Sequence, residues 1–229
     1  RPLSRGLGDV YKRQKLSKTT GDVLFSKSYD FGGFDAIESM ILLESNLIAV
    51  GYIDAQSSDT TFYAEGKGHL MKFDMLGNHI SDSSLNSHTS HAYRVFGSEG
   101  DLIIGGTQDA QDYSLLKMTG AGEVIWSKNY GGSGSDHLFA MDLGLDGSIF
   151  LSGHTTSGTA NWDTYTLKLD QLGNVIWERK LGNPRGFDPQ YIHDEAWGIK
   201  ATPDGGALVV AGTGAVSYTH LTLPTSHNV

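Results

Sequence analysis

Thr166-Leu167-Lys168-Leu169-Asp170-Gln171-Leu172-Gly173-Asn174-Val175-Ile176-Trp177 is the stretch that decides the fold. Leu167 and Leu169 alternate with Lys168, the period of a strand with an apolar and a polar face. Leu172-Gly173-Asn174 interrupts the run with residues that tolerate positive φ, and Val175-Ile176-Trp177 resumes it with β-branched and aromatic side chains. The segment reads as two antiparallel strands joined by a tight turn.

Working outward, the same hairpin recurs. Met71-Lys72-Phe73 precedes Gly77, and Leu116-Lys117-Met118 precedes Gly122. The turn glycines Gly21, Gly77, Gly122 and Gly173 are spaced by 56, 45 and 51 residues. A second column, Gly51, Gly106, Gly153 and Gly212, is spaced by 55, 47 and 59 residues, so one unit repeats with loops of variable length. Each unit holds four short strands. Strand A is expected over 36–43, 91–96, 137–143 and 195–201, strand B over 47–53, 102–107, 148–154 and 207–213, and strand C over 70–74, 113–118 and 165–170. Strand D carries Phe25, Trp126 and Trp177 in one column, with Ser81 in place of the aromatic in the second unit, which predicts weaker packing there.

A single four-stranded meander cannot bury both of its faces, so successive units must stack. The expected fold is all-β: a fragment of a β-propeller built from four-stranded antiparallel meander blades, about three full blades plus partial blades at both ends. A β-sandwich would not repeat the same turn chemistry at each period. Strand A is expected innermost, with Ser39, Ala140 and Gly198 forming a small-residue column. Arg94 occupies that column in the second unit, so either it reaches the channel or that blade is shifted in register.

The two ends read differently. Asp9 to Gln14 back-translates into DNA whose reverse complement, in a shifted frame, encodes Val216-Ser217-Tyr218-Thr219-His220. The expectation is that 1–14 and 215–229 are adapter-like artefacts and that 15–214 is the propeller fragment. The net charge of −9 becomes −12 once those ends are set aside. An acidic surface disfavours nucleic acid and anionic lipid as partners, and no apolar run is long enough for membrane insertion as a helix. No cysteine is present, which excludes disulfides, thiolate metal sites and cysteine nucleophiles.

Strand parity locates a site. In consecutive antiparallel strands the A–B and C–D turns share one end and the B–C and D–A connections the other. The long segments 54–68, 155–162 and 182–194 all fall in the second set, so one face is expected to be rich in loops. There Trp162, Arg185, Tyr191, His193, Asp194 and Trp197 offer an aromatic platform beside charged groups, suited to a small ligand, a glycan or a protein segment. Asp35, Asp136 and Asp194 recur just before strand A and are read as turn or strand caps. His88 and His91 have ligand-like spacing without a third ligand, and the histidines are read as exposed loop residues. Neither a Gly-x-Ser-x-Gly elbow before a helix nor a phosphate loop followed by a helix and lysine occurs, so no catalytic residue, metal or cofactor is assigned.

Leu172-Gly173-Asn174-Val175-Ile176-Trp177, Tyr130-Gly131-Gly132-Ser133-Gly134-Ser135-Asp136 and Thr202-Pro203-Asp204-Gly205-Gly206 followed by Ala211-Gly212-Thr213 resemble the repeats of bacterial secreted β-propeller proteins. That resemblance implies an extracytoplasmic location and a binding or surface-display role, with a purely structural spacer as an alternative. Leu16 to Phe25 also resembles the repeat of pyrroloquinoline-quinone dehydrogenases, which implies an oxidoreductase alternative. The later units depart from that repeat by a shorter turn, and the vicinal cysteine pair of those enzymes is missing.

Overall fold

The structure is a computed structural model that describes residues 11–56, 65–109, 111–159, 161–182 and 194–213. Within them the chain is all-β. Three complete four-stranded antiparallel meanders follow one another: β3 (Phe34–Leu43) to β6 (His79–Ser84) through β4 (Asn46–Gln56) and β5 (Glu65–Phe73), then β7 (His91–Ser98), β8 (Asp101–Gln108), β9 (Asp112–Thr119) and β10 (Val124–Tyr130), then β11 (Asp136–Leu143), β12 (Ile149–Thr155), β13 (Asp163–Leu169) and β14 (Val175–Leu181). A two-stranded sheet stands before them, β1 (Tyr11–Leu16) with β2 (Val23–Tyr29), and another after them, β15 (Glu195–Ala201) with β16 (Ala207–Gly212). These are propeller-like blades, three whole and two partial.

The core lies between blades rather than inside any one of them. Leu115 of β9 packs with Leu138, Leu151 and Leu167 of the next blade, and Val50 and Leu70 pack with Val95 and Leu116. Neighbours along one strand, such as Leu115 and Leu116, point to opposite faces yet are both buried, because the middle blades are covered on both sides. β7 packs against β3 and β11, and β11 against β15, so strand A is the inner strand. Of the expected small-residue column Ala140 is buried, while Ser39 and Gly198 are half-buried. Arg94 pairs with Gly105 as Ser39 pairs with Val50 and Ala140 with Ser152, so the blade is not shifted.

The strand D column is aligned by register: Phe25, Ser81, Trp126 and Trp177 each lie opposite the strand C lysine, namely Lys15, Lys72, Lys117 and Lys168. Phe25 and Trp126 reach across to the turn glycine of the following blade, Gly77 and Gly173. Lys27 and Lys128 follow them and donate to Asn78 Oδ1 at 2.6 Å and Asn174 Oδ1 at 2.8 Å. This outer latch is missing between β3–β6 and β7–β10, where Ser81 has no ring to offer and the space around Gly122 is open.

Two boundaries differ from expectation. β4 runs to Gln56 and β5 begins at Glu65, because the hairpin ladder continues past a left-handed residue at Asp54 (φ 53°). Tyr11 to Gln14 pair with Tyr29 to Ser26 at the edge of β2, an open edge that accepts any extended segment. There Arg13 is buried with its guanidinium 3.4 Å from the Phe73 ring centre, donating to the Gly77 carbonyl at 3.0 Å. Residues 1–10 and 214–229 lie outside the described residues.

Candidate functional site

The entry to each inner strand is tied to the end of strand B. Asp35 accepts from the amides of Phe31 (2.7 Å) and Asp54 (2.9 Å), and Ser90 Oγ accepts from the Asp109 amide (2.9 Å). Asp136 accepts from the Gly132 amide (2.9 Å) and Ser157 Oγ (2.8 Å). The recurrent residue before strand A is therefore a cap, as its position implies. The Asp194 amide reaches back to the Trp162 carbonyl at 2.8 Å, and the Asp136 amide to that of Gln111 at 2.7 Å. These bonds hold the D–A and B–C connections at one end of the blades.

Just inside that end every inner strand carries a β-bulge at the same place. The register shifts fall between Ile37 and Ser39, Ala92 and Arg94, Leu138 and Ala140, and Ala196 and Gly198. The extra residues are Glu38, Tyr93, Phe139 and Trp197, one per blade. A bulge re-aims its side chain out of the regular pleat, and here it turns three aromatic rings toward one another around the inner strands. Tyr93 meets Phe139 edge-on at 5.6 Å, and Phe139 stacks on Trp197 at 4.7 Å and 22°. Histidines extend the row: His154 lies 5.3 Å from Phe139 and stacks flat on Trp162 at 4.3 Å and 2°, while His91 stands between Tyr52 at 4.5 Å and Tyr93 at 6.1 Å.

His137 and His154, cross-strand partners in β11 and β12, bring Nδ1 and Nε2 to 3.0 Å. One ring must donate an N–H and the other accept it, so the tautomers of the neutral pair are coupled: both rings carry the proton on Nδ1, or both on Nε2. The expectation of exposed loop histidines is thus corrected: His69, His91, His137 and His154 are buried, because strand ends at this face are covered by the neighbouring blade. Loss of solvent, aided by the Glu38 carboxylate, pushes the Tyr93 hydroxyl far above its ordinary range, so it stays a neutral hydrogen-bonding group.

Of the residues expected in the site, Asp194 bonds Trp162 at the junction of β11–β14 with β15–β16, and Trp197 is linked to Trp162 through Phe139 and His154. Arg185, Tyr191 and His193 lie outside the described residues. At this junction a cleft of about 350 Å³ is lined by Thr164, Leu181, Asp194, Ala211 and Gly212. Trp197 is half exposed, and its Nε1 borders Gly212 on the wall of the cleft. A second cleft of about 330 Å³ opens at the opposite, tight-turn end around Lys117, Asp146 and Gln171. Its groups are already engaged, Lys117 with Asp101 at 3.2 Å and Gln171 with the Asp146 carbonyl at 3.0 Å.

Tyr52, His91, Tyr93, His137, Phe139 and His154 were missed by sequence reasoning. Their signal is present as His91-Ala92-Tyr93, His137-Leu138-Phe139 and Glu195-Ala196-Trp197, a polar residue and an aromatic flanking a buried one. Each bulge residue stands one position before the column of Ser39, Arg94, Ala140 and Gly198.

No family model matches the chain, and no curated protein matches it. Among solved structures it is similar to a putative 6-phosphogluconolactonase from Bacteroides uniformis, with 11% identity and a TM-score of 0.48, over 85% of this chain and 55% of that one. It is also similar to the tail fiber of Staphylococcus aureus phage P68, with 12% identity and a TM-score of 0.29, over 81% of this chain and 49% of that one. The chain spans about half the length of each. The blade architecture stands on the strand topology described above.

Proposed function

We propose that the chain is a non-enzymatic binding module that takes its ligand on the loop-rich inner rim. The observation that carries this reading is the aromatic stack made by the repeated bulge, which ends on Trp197, half exposed yet held flat against Phe139. An exposed indole held by a buried ring is a pre-organised platform, and little side-chain entropy is lost when a ligand covers it. The adjoining cleft is lined by Thr164 and Asp194 beside apolar walls. Apolar faces edged with polar groups suit the ring of a sugar, which presents C–H bonds on its faces and hydroxyls around its rim. The resemblance to secreted propeller repeats supports a site of action outside the cytoplasm.

The test is a tryptophan-fluorescence titration with cellotetraose. Trp197→Ala is expected to weaken binding about tenfold, in line with an aromatic contact of ~1.5 kcal/mol, with the melting temperature nearly unchanged. A parallel loss of thermal stability would instead make Trp197 a packing residue.

A further inference from the structure

Near the start of strand C the three whole blades carry Lys67, Asp112 and Asp163 in one register, opposite Ile53, Gln108 and Thr155 of strand B. The cap before the next inner strand is Ser90, Asp136 and Asp194 in the same order, so lysine goes with serine and aspartate with aspartate. The two acid pairs differ in what surrounds them. Lys180 draws the Asp163 carboxyl down against the rise caused by burial and by Asp194. Asn129 stands at the place of Lys180, opposite Ser114 as Lys180 is opposite Tyr165. Asp112 and Asp136 therefore lack that cation, and among the described residues neither forms an ion pair. Loss of solvent first, and the Asp136 charge second, push the Asp112 carboxyl up. Glycine keeps a gap beside them: a β-carbon added at Gly131 would collide with both Asp112 Oδ1 and Asp136 Oδ2. Gly131 is exposed and Asp112 half-buried, so the gap opens to solvent at the loop-rich end. Asp136 is fully buried; its Oδ2 accepts from the Gly132 amide and the Ser157 hydroxyl, whereas its Oδ1 has no partner among the described residues. A buried carboxylate oxygen without a donor or counter-charge is unfavourable, and a cation relieves it. Two carboxylates beside one solvent-open gap, with no nitrogen or sulfur donor, suit a hard cation. Calcium accepts an irregular oxygen shell completed by backbone carbonyls and water, whereas magnesium demands a near-ideal octahedron.

We propose that Asp112 and Asp136 bind a calcium ion at the junction of β7–β10 with β11–β14, where it ties the start of strand C in one blade to the inner strand of the next. Lys180 supplies the corresponding positive charge at the following junction. This goes beyond the binding reading above and does not depend on it.

The experiment strips the full chain with EDTA and titrates calcium chloride at neutral pH and constant ionic strength, reading heat by calorimetry and the melting temperature. The wild-type protein is expected to bind calcium with a dissociation constant of about 0.1–1 mM. Calcium at about 10 mM should then raise the melting temperature by roughly 3 °C or more, and magnesium at the same concentration should do less. Asp112→Asn should abolish the calcium response while melting in EDTA at or above the wild-type temperature, because one of two neighbouring like charges is gone. Asn129→Lys places a side-chain cation where Lys180 stands in the next blade and should likewise remove the calcium response. Asp163→Asn, at the junction that has its own lysine, should keep it. Absence of a calcium response in the wild-type protein, an equal response to magnesium, or a response retained in Asp112→Asn overturns the proposal. Its loss in Asp163→Asn alone would move the ion to the other junction and overturn the assignment. Should Asp112→Asn fail to fold in EDTA, Asn129→Lys decides.

Discussion

Three turn glycines occupy equivalent places in successive blades, and alanine at each should separate backbone strain from inter-blade packing. Gly77, Gly122 and Gly173 have φ of 71°, 100° and 74°, so alanine is held in the left-handed region at all three. That strain is ~1–2 kcal/mol and is partly offset by ~0.4–1 kcal/mol from the stiffer unfolded chain. At Gly122 nothing lies within 4 Å of the added methyl, so Gly122→Ala should cost only about 1 kcal/mol. At Gly77 the methyl meets Phe25 ring carbons at 2.5 and 2.7 Å, and at Gly173 it meets Tyr130 Oη at 2.9 Å and Trp126 at 3.2 Å. Displacing an aromatic ring wedged against the next blade adds ~1–3 kcal/mol, so these two variants should lose roughly 2–4 kcal/mol. Urea unfolding followed by circular dichroism measures the difference, and melting temperature should follow at ~2–4 °C per kcal/mol for a chain of this size. In a Phe25→Ala background the Gly77→Ala penalty should fall toward the Gly122 value, since only the backbone term remains. Equal losses at all three glycines, within about 0.5 kcal/mol, would show that the strand D aromatic does not clasp the next blade, and the account of the outer latch would be wrong.

Acid sensitivity should trace in part to His69. Burial holds its pKa below the ordinary value, so the unfolded chain protonates first as pH falls. The stability it contributes is complete above about pH 6.5 and is lost as pH drops toward the folded pKa. His69→Gln should therefore flatten the urea midpoint between about pH 6.5 and 5, and an unchanged slope would exclude His69 as the source. Asp112 is the opposite case. Loss of solvent first, and the Asp136 charge second, push its carboxyl up, so its ionisation at neutral pH weakens the fold and its protonation on acidification restores it. Asp112→Asn should raise stability by a few tenths of a kcal/mol, roughly 1–2 °C, at pH 7 and have no effect below about pH 4, whereas a drop at pH 7 would point to a contact that needs the carboxylate.

The strand periods, the turn glycines and the repeat are local properties, and the sequence alone determined them. Lys168 between Leu167 and Leu169, followed by Gly173, is enough to draw a hairpin, and its recurrence is enough to draw blades. The caps at Asp35 and Asp136 were legible for the same reason, since a short polar side chain before a strand bonds nearby amides. Parity placed the D–A and B–C connections at one end, and the bonds from Asp194 to Trp162 and from Asp136 to Gln111 join them there. The aromatic row was decided only by tertiary structure. Tyr93, Phe139 and Trp197 belong to different blades and meet because a bulge at the same step of each inner strand turns a residue out of the pleat, and a one-residue bulge is invisible to a period-two pattern. Histidine burial was hidden likewise: His154 is followed by a polar loop in the sequence, yet in space it lies under Trp162 and against His137, covered by residues that only the stacking of blades brings near.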